Sequence, residues 1–295
     1  MVDARRPSAS GVFYPDAREL LASTVRALLD GAVANGPSGS ISHLEPSGFE
    51  HRSPPRFVPK AMLQPRVRSS RVRAIVAPHG RLGVCGAVAA AAWAQVIPRA
   101  SQIQRVVVIG PAHHMIFSGI AAPFAEAFET PLGTLAVDRV AIESARRWPH
   151  LVLSDDAHER EHSIEVQLPF AQTVLDSPLV VPLLVGEASE EEVATVMEAV
   201  WGDATLLVVS TDLSQYYDAA TASRLDLATA LAVETLDGRS IGVDQACGWV
   251  ALRALLRVAR ARDLRATRIQ LSEASLWDDG ATLDEVTGFG AFVVS

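Results

Sequence analysis

Residues 105–114 read RVVVIGPAHH, and the fold turns on how that stretch is read. Val106, Val107, Val108 and Ile109 form an unbroken β-branched run. Such a run suits a central strand covered on both faces, as in a parallel sheet. Gly110 and Pro111 stop the strand, and His113 and His114 follow just past its carboxyl end. Ligand sites in open α/β sheets lie outside that end of the strands. Two imidazoles there suit metal ligation or proton transfer. The alternative is that one caps the turn and the other faces water.

Working outward, further strands are expected at 72–77, 179–185, 205–210, 266–271 and 289–294, separated by helical patterns. Leu20, Leu21, Val25, Leu28 and Leu29 make a helical stripe after Asp16 and Glu19, with Gly31 placed as its C-terminal cap. A small-residue helix is read at 86–96, a helix capped by Asp138 at 138–148, and long helices at 221–236 and 246–262. Ser189 and Glu192 have capping-box spacing. Residues 124–135 read as irregular around the turn signal TPLG. The alternation makes an α/β protein. Phe13 and Tyr14 are expected to pack on the domain.

The chain has 295 residues, 49% of them hydrophobic, enough to bury the core of one large α/β domain or two small ones. A net charge of −8 argues against a nucleic-acid surface. The charged start is followed by no apolar signal segment, and no apolar run reaches the roughly 18 residues needed to span a bilayer. Neither secretion nor a membrane partner is therefore expected, and the placement is cytoplasmic. Cys85 and Cys247 are accordingly read as thiols. Residues 36–70 break the pattern with dense Pro, Gly and Ser and a basic balance, which reads as a mobile insertion or lid, or as a solvated loop without function.

The densest polar cluster is DDAHEREHSIEVQLPF, residues 155–170. Ile164, Leu168 and Ala171 share a helical face, while Pro169 signals a kink or a helix start. His158, Glu159 and His162 match the spacing of a zincin HExxH, but without the apolar helical stripe that motif sits in. STDLS, beginning at Ser210, follows the strand at 205–210. Cys247 opens a helical pattern, where the positive end of the helix favours a thiolate.

Taken together, APHG, GPAHH, TPLG, EHSIEVQLPF, VPLLVG, STDLS and ACG, in this order, resemble the Memo family, which includes the AmmeMemoRadiSam system protein B. The resemblance covers nearly the whole chain outside 36–70. It implies a single domain over 1–295 with a central mixed sheet flanked by helices, similar to class III extradiol dioxygenases. It also implies a non-haem iron pocket whose ligands fall here on His79, His113 and Cys247. Fe(II) leads as the metal, with Cu or Zn as alternatives. Asp212, His162 and Glu165 are expected around the site as supporting or acid–base groups.

Two departures from the family's pattern stand out. The first motif continues as APHGRLGVCG, so that Arg81 replaces a glycine; it either binds an anion or points outward. Gln215 stands where the family usually has histidine. By the same resemblance, a pathway link to an AMMECR1-domain protein and a radical SAM protein is implied. The substrate stays unknown. Three functions compete: an iron-dependent redox enzyme acting on a small molecule, a metal-binding scaffold or ligand-recognition protein without turnover, and a hydrolase using Cys247 as nucleophile. No general base for the last is visible in the sequence.

Overall fold

The computed structural model describes residues 3–35, 72–274 and 285–295. The expected insertion at 36–70 lies outside the described residues. Strands are β1 (Ala4–Arg5), β2 (Ala74–Ala77), β3 (Arg105–Pro111), β4 (Ile120–Ala122), β5 (Ala127–Thr130), β6 (Gly133–Ala136), β7 (Leu151–Leu153), β8 (Leu179–Val185), β9 (Thr205–Ser210), β10 (Tyr217–Asp218), β11 (Ala266–Ala274) and β12 (Glu285–Val294). Helices are α1 (Arg18–Asn35), α2 (Leu82–Ala94), α3 (Arg139–Ala145), α4 (Asp155–Glu159), α5 (Leu168–Val174), α6 (Glu190–Val200), α7 (Ala219–Glu234) and α8 (Trp249–Ala261).

The main sheet runs in the order β10-β12-β2-β9-β3-β8-β4-β7, with β11 on β12. Its four central strands, β2, β9, β3 and β8, are mutually parallel, whereas β12 and β4 join them antiparallel. The mixed sheet of a single α/β domain is therefore observed. All residues of β2 and β9 are buried, and so is the whole β-branched run of β3. Both sheet faces must then be covered. One helix group, α1, α2 and α5, packs together and reaches β2, β11 and β12 through α2. The other, α3, α6 and α8, reaches β3, β8 and β9. No helix among the described residues is long and apolar enough to cross a membrane.

Small side chains let the first group close up. Ala89, Ala90, Ala92 and Trp93 of α2 are buried, and a Cβ on Gly86 would come within 2.9 Å of Leu28 of α1. α2 begins at Leu82, four residues before the expected start. Gly31 does not end α1, which continues to Asn35 and anchors through Leu21, Val25 and Leu29. Residues 124–135 are not irregular. TPLG is the turn of the β5–β6 hairpin, which forms a small second sheet with β1. The Ser189–Glu192 capping box is present, and Asp138 caps α3.

Asp226 of α7 is buried between β11 and β12, where its carboxylate takes the space above Gly288. Its Oδ1 accepts from Ser214 N–H at 3.0 Å. Burial, with Glu273 adding repulsion, pushes its pKa up to about 6. An acid with a raised folded-state pKa favours its neutral form in the fold. Stability is thus fully present below about pH 4 and falls as pH rises through about 6. Asp226→Asn keeps the acceptor for Ser214 and removes the ionisation. We expect it to raise stability at pH 7 by about 3 kcal/mol and to leave it unchanged near pH 3.5. Urea unfolding at the two pH values measures this, and an equal shift at both would refute the assignment.

Candidate functional site

Because β2, β9, β3 and β8 run the same way, their carboxyl ends meet at one edge of the sheet. β2 delivers His79, β3 delivers His113 and His114, and β9 delivers Ser210, Thr211 and Asp212. The turn leading into α8 adds Cys247, and the turn between α4 and α5 adds Glu161 and His162. Gly110 makes that last approach feasible, since a Cβ there would sit 2.7 Å from Ser163 Oγ. Ser163 Oγ instead donates to Pro111 O at 2.9 Å and ties the turn to β3.

Three imidazoles converge. His79, His113 and His162 each offer a ligand atom, all within 4.8 Å of one another. Their rings lie 4.8–5.4 Å apart, with His162 stacked on His113. Phe13 stacks on His162 at 4.2 Å and pairs with the imidazoles as an aromatic wall. Cys247 Sγ lies 3.5 Å from His79 Nε2 and hydrogen-bonds with His113. The Asp212 backbone N–H donates to the same sulfur at 3.3 Å. His162 Nδ1 is buried and faces Glu161 Oε1 at 3.3 Å without hydrogen-bond geometry. A cluster of convergent nitrogen and sulfur donors has the donor chemistry of a metal site.

The charges interlock. Burial works against ionising Cys247, yet His79 and the hydrogen bonds from His113 and His79 outweigh it and bring the thiol down to about 6. Burial likewise opposes a charged His79, but Asp212 and Cys247 push its pKa up. For His113, burial is overcome by hydrogen bonds to Cys247 and Glu161, and its pKa rises to about 10. His162 is held neutral: burial and the neighbouring His79 lower it to about 3. The Cys247–His79 contact is also the pairing that a thiol nucleophile needs. Cys85 is different, because burial and then Asp212 push its thiol up.

Asp212 supports the cluster directly: Oδ1 accepts the His79 backbone N–H at 2.9 Å, and Oδ2 lies 4.0 Å from His79 Nε2. His162, expected as a supporting group, is one of the three converging imidazoles. Gln215 is half-buried and lines a hollow of about 160 Å³ that Cys247 also lines, together with Tyr217 and Asp244. On the other side of Cys247 an open hollow of about 260 Å³ is walled by Met115, Ile116, Phe117 and Trp249. Arg81 is exposed and lines neither hollow.

Glu165 is no acid–base group of this cluster. Its fully buried carboxylate bonds Arg5, the Ser8 and Ala9 backbone N–H groups and the Tyr14 hydroxyl, and so pins the N-terminal segment. The HExxH spacing, already disfavoured for want of an apolar helical stripe, holds no metal pair, since His158 Nε2 faces the Ala121 carbonyl at 3.1 Å and α4 ends before His162. Glu161 escaped the sequence reading altogether. Its buried carboxylate accepts from His113 N (2.6 Å), His113 Nδ1 (2.9 Å), His162 N (2.9 Å) and Ser163 N (2.9 Å). Burial would raise its pKa, but the His113 contacts dominate and hold it well below the usual carboxylate range. The available signal was its place directly before His162 in a stretch without helical periodicity.

Comparison with known proteins agrees with this picture. The Memo family, described as “Memo-like protein”, matches residues 52–266. A MEMO1 family protein of Thermotoga petrophila is 31% identical over 242 residues, covering 80% of this chain and 79% of that one. Protein memo-1 homolog of Caenorhabditis elegans is 40% identical over 122 residues, which is 40% of this chain and 34% of that one. Protein MEMO1 of Xenopus laevis is 37% identical over 153 residues, 49% of this chain and 51% of that one. The matches to the two animal proteins thus span a third to a half of their length. With the family match running from before His79 past Cys247, and so across every residue of the imidazole–thiol cluster, the chain belongs to the Memo family.

Proposed function

We propose that His79, His113 and Cys247 hold one divalent metal, Fe(II) in the first place and Cu or Zn as alternatives, with His162 as a fourth donor beside them. The observation that carries this reading is the convergence of three imidazoles and a thiol from separate elements. Mixed imidazole and thiolate donors suit these metals. The bound metal would supply redox chemistry on a small molecule, in the manner of non-haem iron oxidoreductases related in fold to extradiol dioxygenases. In that reading Asp212 holds the His79 backbone, Phe13 screens His162 from water, and the hollows beside Cys247 receive the substrate.

A second reading is a metal-binding scaffold that recognises a ligand without turnover. It is favoured by Gln215, an amide beside the site that neither takes nor gives a proton at neutral pH. The link to an AMMECR1-domain protein and a radical SAM protein is proposed on family resemblance alone. The test is metal analysis of anaerobically purified protein. The wild type should carry about one equivalent, and His79→Ala, His113→Ala and Cys247→Ser should each lose most of it, because removing one ligand costs several kcal/mol of a binding free energy of about 10–16 kcal/mol. Retention of full metal by all three variants would eliminate the site.

A further inference from the structure

We infer that Glu161 and a buried Trp93–Gln167–Ser210 relay fix His113 and His79 in the same tautomer, protonated at Nδ1, so that both present a bare Nε2 toward Cys247. This inference rests on the metal-binding reading and explains why EHSIEVQLPF surrounds the site with polar groups.

The Glu161 carboxylate accepts the backbone N–H groups of His113 at 2.6 Å and of His162 and Ser163 at 2.9 Å, so both its oxygens are committed as acceptors. Its Oε1 sits 2.9 Å from His113 Nδ1, so Nδ1 must be the donor. Nε2 is then the nitrogen left for a ligand when the ring is neutral.

For His79 the proton must be traced through three buried side chains. Trp93 Nε1–H can only donate, and it donates to Gln167 Oε1 at 2.9 Å. That contact sets the Gln167 amide: its Nε2 is the other end and donates to Pro78 O at 2.9 Å and Ser210 Oγ at 3.0 Å. Ser210 has one hydroxyl proton, and Ser163 O lies 2.6 Å away with nothing of its own to give. The hydroxyl proton therefore points at Ser163 O. Ser210 Oγ is left with lone pairs toward His79 Nδ1 at 3.1 Å, so Nδ1 carries the proton. Every member of this relay is 0–1% exposed, so water offers no alternative partner.

The two devices are independent and give the same answer. One uses a charge, the other a chain of neutral groups whose direction is set by an indole that cannot reverse. Metal-bound histidines commonly donate their second ring N–H in this way, and loss of the partner costs roughly 10–100-fold in metal affinity. Glu161, Ser210 and Gln167 are thus positioning residues, acting through His113 and His79.

The test uses Zn(II), a diamagnetic probe, on the full chain with 15N-labelled histidine. Nitrogen-resolved NMR of the Zn(II)-loaded wild type should show Nδ1 protonated and Nε2 metal-bound for both His79 and His113. Metal bound through Nδ1 of either ring would overturn the inference while leaving the metal site standing. Wild type without Zn(II) affinity would sink the metal-binding reading and this role with it. Ser210→Ala and Glu161→Gln should each weaken Zn(II) binding by about tenfold or more. Affinities within twofold of wild type in both variants would also overturn it. The wild-type spectrum decides the tautomers even where a variant fails to fold.

Discussion

Replacing Glu165 with alanine is expected to lower the unfolding free energy by about 3–5 kcal/mol, the cost of breaking a buried ion pair from one side. The carboxylate is fully buried and bonds Arg5, Tyr14 and the backbone of Ser8 and Ala9. Removing it strands the Arg5 guanidinium, which is 9% exposed and otherwise donates only to Ser8 Oγ and to the carbonyls of His158, Glu159 and Glu161. Glu165→Gln keeps an acceptor and a matching shape, so it should cost less, about 1–3 kcal/mol. The loss also has an address. Phe13, next to Tyr14, stacks on His162, so loosening the N-terminal segment loosens one wall of the imidazole cluster. Denaturant unfolding of both variants measures the effect, and a cost below about 1 kcal/mol for Glu165→Ala would show that the segment is held by something else.

How much of this was legible beforehand depended on the kind of signal. β3, β8 and β9 announce themselves because strands buried on both faces need unbroken apolar runs, although β3 continues through Gly110 and Pro111, which were expected to stop it, and stays paired with β8 there. His79, His113 and Cys247 were found because they stand at element ends in recognisable motifs, and the structure brings them together. Their metal-ligand role is still a proposal. Asp212 and His162 likewise fall at the site. Glu165 looked similar on paper, yet a side chain's partners depend on which way its turn of helix faces. The three-residue 3-10 turn at Glu165–Gln167, between α4 and α5, rotates Glu165 away from the imidazoles and toward the N-terminus. Glu161 was missed for a related reason. Its importance comes from three backbone N–H groups that a non-helical turn aims at one carboxylate, and such convergence has no periodicity to read. Gly31 misled in the opposite direction, because tertiary packing of Leu21, Val25 and Leu29 carries α1 through a residue of poor helix propensity.

The wild-type protein, loaded with iron, is expected to show no ring-cleaving turnover of simple catechols. Family resemblance implies that a histidine at position 215 would serve as an acid–base group in such chemistry, a contribution of about 10²–10⁴ in rate. Gln215 lines the hollow beside Cys247 and supplies an amide there. Among the nearby histidines, none offers an evident replacement. His162 is held neutral with a pKa of about 3, and His158 is turned to the Ala121 carbonyl with a pKa lowered to about 4, chiefly by burial. His113 is committed to Glu161 and Cys247. His114 is exposed and sits at the rim of the cluster, edge-on to His162 and with a ring nitrogen within 4.8 Å of ligand atoms of Glu161 and His162. Gln215→His should therefore not weaken metal binding, while placing a titratable ring in the hollow that Cys247 also lines. Oxygen consumption with catechol probes, read alongside metal content, separates the possibilities. Robust turnover by the wild type that disappears in His113→Ala would overturn this expectation and show that proton transfer at this site runs through another group.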